Sequence, residues 1–238
     1  MYLYTFEQWR EPSEHGIGQS PPVSPWPHRA KWKDFAAPGT ADTYTLAYSK
    51  WVASNYQNYN KDKYYCNWFP LRLLVEFASQ NLLRIRMRYW PGTASTTGGV
   101  RQWDMSTINV FDSRDGGFTS KDHFYGTVKN KVTARMIAEL NTVPIPVQDA
   151  RAGDLILYPM SDRYWHVEEI VEVTSTELVR QSGTVRSDGS GACPLERERR
   201  SPVKWDKAYG KSPRRWNSWQ FDDFSVSGPE LRPVPGSY

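Results

Sequence analysis

The chain has 238 residues and a formal net charge of +4, with 39% hydrophobic and 24% charged residues. This composition predicts a globular protein with a sizeable core, and the small, scattered basic excess does not favour a nucleic-acid partner. No apolar run approaches the ~20 residues of a transmembrane helix, so no transmembrane segment is predicted. Two cysteines, Cys66 and Cys193, are too few for a disulfide framework or a zinc site. One bridge between them is possible, but we expect both to be free thiols, and we predict no metal site and no cofactor.

Residues 1–40 are predicted to form an irregular arm, because prolines crowd the segment 19–27 and exclude a helix there. The first residues lack the basic segment and apolar run of a Sec signal. We therefore expect the protein to be made in the cytoplasm and, if it acts elsewhere, to leave by a non-classical secretion system.

Two helices are predicted next, the first over residues 41–59 and the second directly after Cys66. Apolar residues recur with helical spacing over residues 71–82, and Pro70, which has no N–H group, fits only the first turn. Cys66 is then at the N-terminal end of a helix, where free N–H groups and the helix dipole lower the pKa of a thiol. It is a candidate nucleophile, although a lone cysteine is also a common core residue.

A strand is predicted over residues 83–89, where apolar and basic residues alternate. The region from about 90 to 127 is rich in Gly, Thr, Ser and Asp and is predicted to be an insertion that acts as a lid or binding loop. Its aromatic residues are expected to shape a cleft: Trp90, Trp103, Phe111 and Phe118. A further helix is predicted over residues 129–140.

Three strands over residues 155–158, 165–173 and 177–181 are separated by short turns and predict an antiparallel meander. Residues 184–238 are rich in Trp, Arg and Pro and are predicted to be a tail that wraps the core, with a last strand near 216–221. The domain prediction is therefore an arm, a catalytic core over residues 41–183 and a tail.

The second strand of the meander carries the candidate base, His166. Alternation places His166 and Glu168 on the face away from the most apolar side. If this face meets the N-terminal end of the Cys66 helix, thiol and imidazole form an ion pair with a reactive thiolate. A third group must orient the ring, and Gln181 and Glu168 are the candidates. A histidine on a strand is, however, often a structural residue.

The order of these parts resembles that of papain-like cysteine hydrolases, and looks most like the bacterial NlpC-type and CHAP-type amidases and endopeptidases. The parts are Cys66 at a helix start, a Gly-Asp-hydrophobic strand at 153–158, the strand of His166, and a strand with Gln181. The resemblance covers roughly residues 60–182. It implies an α+β papain-like fold with N-terminal helices packed on an antiparallel sheet. It also implies Cys66 as nucleophile, His166 as base and Gln181 as the orienting residue.

The sequence departs from the usual Asp-Cys-Ser or Asp-Cys-Gly pattern of that family, because Tyr65 and Asn67 flank Cys66. This is closer to the Cys-Asn start of some secreted bacterial amidase toxins. The implied reaction is cleavage of an amide bond in peptidoglycan peptides. An immunity or inhibitor protein is the implied partner of such a toxin. The candidates for oxyanion or substrate contacts are Tyr64, Tyr65, Asn67, Trp165, Glu168 and Trp103.

Two alternatives stay open on the sequence. Related papain-like proteins move or hydrolyse acyl chains of lipids, so the acceptor could differ while the fold is kept. In the other alternative the protein is a non-enzymatic, Trp-rich binding or structural module, with Cys66 and His166 buried in the core.

Overall fold

The computed structural model describes residues 43–59, 62–93, 102–114, 117–161, 164–175, 177–183, 193–194, 196–200 and 213–217. Within these residues the chain is a mixed α+β protein whose strands are paired antiparallel. The predicted arm lies outside the described residues, as does most of the predicted C-terminal tail.

The helices are α1 (Thr43–Asn55), α2 (Trp68–Gln80), α3 (Lys121–Lys131) and α4 (Ala134–Met136). A 3₁₀ turn, Tyr56–Tyr59, continues α1, and a π-helical turn, Ile137–Asn141, continues α4. A separate 3₁₀ turn spans Val147–Asp149.

The first six strands are β1 (Lys63–Tyr64), β2 (Arg86–Tyr89), β3 (Gly92–Thr93), β4 (Gln102–Trp103), β5 (Asn109–Asp112) and β6 (Thr142–Pro144). The other six are β7 (Leu155–Ser161), β8 (Tyr164–Val173), β9 (Leu178–Ser182), β10 (Cys193–Pro194), β11 (Glu196–Arg200) and β12 (Arg214–Trp216). The main sheet has six strands in the order β11-β9-β8-β7-β12-β6, and the pairs β1-β10, β2-β5 and β3-β4 lie outside it.

The core lies between the helices and one face of the main sheet. Helices α1 and α2 contact β8, and α4 contacts both β7 and β8. The apolar sheet residues buried on this face are Leu155, Leu157, Val167, Val171, Val179 and Trp216. The opposite face buries a smaller cluster that contains Ile156, Ile170 and Leu178. The period of two along each strand thus divides the sheet into two faces with different surroundings.

The predicted meander is confirmed as β7, β8 and β9, and the predicted helix after Cys66 as α2. The helix predicted over 41–59 is confirmed as α1 and its 3₁₀ extension. The strand predicted over 83–89 is shorter, and the last strand, β12, ends at Trp216, whereas residues 218–221 lie outside the described residues.

The helix predicted over 129–140 is wrong in its bounds. The chain is helical from Lys121, where Ser120 caps α3 by accepting from the His123 N–H at 3.1 Å. Val132 is extended and interrupts the helix, and the Thr133 side chain caps α4. Polar residues dominate α3, so the apolar periodicity used for the prediction began too late.

The prediction that residues 90–127 form an insertion is also corrected, because much of this segment belongs to the core. Strand β5 pairs with β2, and the Phe111 ring stacks on Tyr89 with centroids 4.1 Å apart. Phe111, Phe118 and Trp90 are buried in the main cluster, so they do not line a cleft. The aromatic residues of this region therefore stabilise the fold.

Among the described residues, none of the helices combines the length and the apolar character needed to cross a bilayer.

Gly183 follows β9 where the main chain of Tyr64 comes closest, and a Cβ there would overlap the Tyr64 carbonyl oxygen. We expect Gly183→Ala to lower the free energy of unfolding by about 1–3 kcal/mol, the usual effect of overpacking. Gly126 lies within α3, where an added Cβ meets no atom within 4 Å. Gly126→Ala is the matched control and should raise stability by about 0.5–1 kcal/mol. Urea unfolding measures both, and an unchanged Gly183→Ala variant would contradict the close approach.

Candidate active site

Cys66 lies in the short turn between β1 and α2, and the next residue anchors this turn. The Asn67 side-chain amide donates to the carbonyl oxygens of Lys129 at 3.1 Å and Val132 at 2.8 Å. This amide is therefore committed to the end of α3, which corrects the expectation that it stabilises an oxyanion. The main-chain N–H groups of Cys66 and Asn67 instead point at the Cys66 sulfur.

The Cys66 sulfur rests against the main chain of β8 on both sides of His166. Its Sγ lies 4.0 Å from the carbonyl oxygen of Trp165, and the N–H of Val167 donates to it. The His166 side chain leaves the strand between these two contacts. The fold thus brings the predicted nucleophile to the strand of the predicted base, although 99 residues separate Cys66 from Trp165.

The electrostatics of Cys66 differ from the expectation. Burial raises the pKa of the Cys66 thiol, and the nearby Glu168 carboxylate raises it further. The N–H groups of Val167, Asn67 and Cys66 itself act in the opposite direction but do not offset the burial. The expected lowering of the thiol pKa at the helix end is therefore wrong, and the resting sulfur is a neutral thiol.

His166 is mostly buried, and its Nε2 atom faces polar groups on its own side of the sheet. Nε2 lies 3.1 Å from Ser182 Oγ and 3.6 Å from Glu168 Oε1. Burial, and then the positive charge of Arg180, lower the pKa of His166 to about 4. The imidazole is therefore neutral near pH 7. Within the described part of the chain, no hydrogen bond joins it to the Cys66 thiol.

The surroundings of Ser182 determine which ring nitrogen carries the proton. Ser182 Oγ lies 2.8 Å from the Val167 carbonyl oxygen and 2.9 Å from that of Gly183. Because carbonyls only accept, the single hydroxyl proton goes to one of them, and Oγ accepts from Nε2–H of His166. Nδ1 is then the unprotonated nitrogen and makes no hydrogen bond within the described ranges. Nδ1 is the ring nitrogen closer to the main chain of β8. The Cys66 sulfur contacts this main chain.

Gln181, the predicted orienting residue, lies on the other face of β9. It pairs with Glu169, whose Oε1 accepts from the Tyr48 hydroxyl of α1 at 3.1 Å, so both point to the helices. His166 and Ser182 point to the opposite face. The assignment of Gln181 as the residue that orients His166 is therefore corrected.

Glu168, the second candidate for that role, shares the face of His166 and is itself held in place. It forms an ion pair with Arg180 and accepts a hydrogen bond from the Tyr158 hydroxyl at 3.1 Å. The Tyr158 ring lies 5.4 Å from the His166 ring. Ser182 and Glu168 together therefore surround Nε2 and fix the ring.

The remaining predicted contacts are spread over several environments. The Tyr64 hydroxyl donates to Asp62 at 3.1 Å and its ring is buried, so it is not free to bind an oxyanion. Tyr65 is half-buried beside Trp68. Trp165 and Trp103 pack on the main core, and the carbonyl oxygen of Trp165 contacts the Cys66 sulfur.

Ser182, Arg180 and Tyr158 are site residues that the sequence analysis missed. On its strand, each of these residues alternates with a neighbour that is apolar or faces the helices. The available signal was therefore that each side chain falls on the same face of the sheet as His166. That signal depends on the register between strands, which shifts between Ile170 and Glu172.

Compared with models of protein families, with curated proteins and with solved structures, the chain matches none of them.

The pKa of His166 makes stability depend on pH. The folded protein keeps the ring neutral down to about pH 4, whereas the unfolded chain binds a proton near pH 6.5. The stabilisation is therefore complete above pH 6.5 and is lost as the pH falls toward 4. Between pH 7 and pH 5 the wild type should lose about 2 kcal/mol more than His166→Gln in urea unfolding. Parallel losses in the two proteins would contradict a neutral buried ring.

The raised pKa of Cys66 predicts its alkylation profile. The rate of labelling by iodoacetamide should rise only above the range of an ordinary thiol, about 8.5. Peptide mapping by mass spectrometry follows Cys66, with N-acetylcysteine as the reference. Fast labelling at pH 6 that disappears in His166→Ala would instead reveal a preformed ion pair.

Proposed function

We propose that this protein is a papain-like cysteine hydrolase that cleaves an amide bond, with Cys66 as nucleophile and His166 as base. One observation carries the proposal: the Cys66 sulfur touches the peptide groups on both sides of His166. The order of the residues along the chain, which resembles that of the NlpC-type enzymes, is independent support. Cys66 and His166 are distant in sequence, so their proximity in the fold does not follow from being neighbours in the chain. A neutral imidazole with an unprotonated nitrogen is the state that a general base requires.

The proposed reaction begins from a neutral thiol and a neutral imidazole. As the Cys66 sulfur forms a bond to the substrate carbonyl carbon, its proton moves to Nδ1 of His166. The main-chain N–H groups of Cys66 and Asn67 point at the sulfur, and in this mechanism they stabilise the oxyanion that forms next to it. The imidazolium then protonates the leaving amine as the carbon–nitrogen bond breaks. Water then gives a proton to the same nitrogen as its oxygen bonds to the acyl carbon; the carbon–sulfur bond breaks, the acid leaves, and the imidazolium returns the proton to the Cys66 sulfur.

Ser182 and Glu168 act as positioning residues in this mechanism. Ser182 Oγ accepts from Nε2–H, so the basic nitrogen is kept on the other side of the ring. The Glu168 carboxylate lies 3.6 Å from Nε2 and stabilises the imidazolium when it forms.

Peptidoglycan peptides are the proposed substrate class. The support is the resemblance to cell-wall amidases together with a net charge of +4, which favours an anionic polymer. Action as an antibacterial effector, with export by a non-classical route and a matching immunity protein, is part of the same proposal.

The non-enzymatic module is a second candidate, and two observations favour it. The thiol is partly buried with a raised pKa, and the imidazole is hydrogen-bonded to Ser182. In that case Cys66 and His166 are structural residues, and ligand binding would quench tryptophan fluorescence without product.

We expect the purified protein to release new amines from fluorescently labelled muropeptides, as followed by mass spectrometry. Cys66→Ala and His166→Ala should lower the rate at least about 10³-fold, because each removes a group that takes part in bond making. Gln181→Ala is the matched control and should retain activity, since Gln181 lies on the face of β9 away from His166.

A parallel assay with phospholipid vesicles separates the amidase from the lipid alternative. Hydrolysis or acyl transfer on lipids alone would replace the peptide substrate but keep the catalytic pair. Turnover of either substrate by Cys66→Ala would remove Cys66 from the mechanism.

A further inference from the structure

A cationic side chain lies over two aromatic rings beside the turn that holds Cys66. The Lys129 ammonium is 4.0 Å from the centroid of the Trp68 ring and 5.1 Å from that of Tyr125. The Tyr65 ring meets Trp68 edge-on at 4.5 Å. We call Trp68, Tyr125 and Lys129 the lysine platform. Cation–π attraction holds the ammonium in a defined position without neutralising its charge.

The lysine platform is tied to the chain on both sides of Cys66. Asn67 donates to the main-chain carbonyl of Lys129, and Trp68 supplies the ring under the ammonium. Tyr65, which precedes Cys66, packs on the same ring. The ammonium therefore lies next to the turn that presents the sulfur, in an orientation set by α2 and α3.

Of the carboxylates nearby, Asp62 accepts from the Tyr64 hydroxyl, and two others are committed to other cations. Glu76 binds Arg72 and Lys121, and Asp122 binds Arg72. Across the described ranges, no carboxylate pairs with Lys129. Burial and the positive charge of Arg72 lower the pKa of Lys129, and no acidic group acts in the opposite direction. The ammonium thus keeps a positive field that the protein does not neutralise.

We propose that the lysine platform is a carboxylate-binding subsite of the Cys66 site. It would select substrates that carry a free carboxylate close to the bond attacked, such as a peptide whose terminal or side-chain carboxylate adjoins that bond. The role in substrate choice rests on the proposed hydrolase function. Attraction of a carboxylate toward Cys66 does not depend on that function, so it can be tested without any turnover.

The test uses two alkylating reagents of nearly the same size, iodoacetate with a carboxylate and iodoacetamide without charge. Their rates at Cys66 are measured at pH 8.5 by peptide mapping, and each is divided by its rate with N-acetylcysteine. We expect the normalised preference for iodoacetate to be about two- to fivefold, the contribution of one partly exposed ion pair. Raising the salt to about 1 M should abolish it, because screening shortens the range of the field.

Lys129→Gln should remove the preference, and Lys129→Arg should retain it. Lys131→Gln, two residues further along α3 and so on another side of the helix, is the matched control and should leave the preference unchanged. Equal iodoacetamide rates in all variants show that access to Cys66 is unaltered.

Two results would overturn the subsite: no preference for iodoacetate in the wild type, or a preference that survives in Lys129→Gln. A charge preference without any hydrolysis of muropeptides or lipids would refute the proposed function and leave the subsite standing. Hydrolysis without a charge preference would refute the subsite and leave the proposed function standing.

Discussion

The alternation of side chains along β8 from Trp165 to Ile170, before the irregularity between Ile170 and Glu172, is the constraint on which the rest of this structure depends. Glu169 anchors that alternation, because its carboxyl group is fully buried among the helices and accepts from Tyr48. Burial raises the pKa of Glu169 well above its usual value, so the site disfavours the charged form of this carboxyl group. A slip of one residue would expose Val167 and bury charged Glu168 against α2. The helix packing therefore decides that His166 and Glu168 face the other side of the sheet.

This division of the sheet explains why Cys66 meets the main chain of β8 before it meets a side chain. The sulfur occupies the level of Trp165 and Val167, whereas the imidazole projects toward Ser182 on its own face. The two groups share one short stretch of strand, and Nδ1 is the ring nitrogen nearest to that stretch. A polar network on one face thus sets the protonation of the ring, and the helix on the other sets the position of the thiol.

Much of the fold could be predicted from the sequence because its strongest signals are local. The strands β7 to β9 alternate cleanly between turn residues, and α2 has a continuous apolar stripe after Pro70. Helix α3 was missed because its buried residues, including Phe124 and Val128, are separated by polar and charged ones. The segment from 90 to 127 looked like an insertion because its pairing partner, β2, lies earlier in the chain. Such non-local pairing leaves no pattern within the segment itself.

The site was predicted less completely, for two physical reasons. The nucleophile and base positions follow from residue order, but the partner of His166 depends on the register between β8 and β9, which contains an irregularity. Ser182 was therefore missed in favour of Gln181. The thiol pKa was wrong in direction because a helix end contributes only about 0.3–1 kcal/mol. Burial shifts a pKa by up to about 3–5 units, and for the partly buried Cys66 it is the largest influence.

A neutral thiol beside a neutral imidazole has a consequence for how such a site would work. In a preformed ion pair the protein stabilises the thiolate before substrate arrives, and part of that stabilisation is lost when the bond forms. In this structure the thiolate is not stabilised in advance, because burial opposes charge on both Cys66 and His166. The N–H groups that point at the sulfur partly counter this effect at Cys66, whereas in the proposed mechanism the Glu168 carboxylate near Nε2 acts only as charge develops on the ring. Interactions of that kind lower the barrier without tightening the ground state.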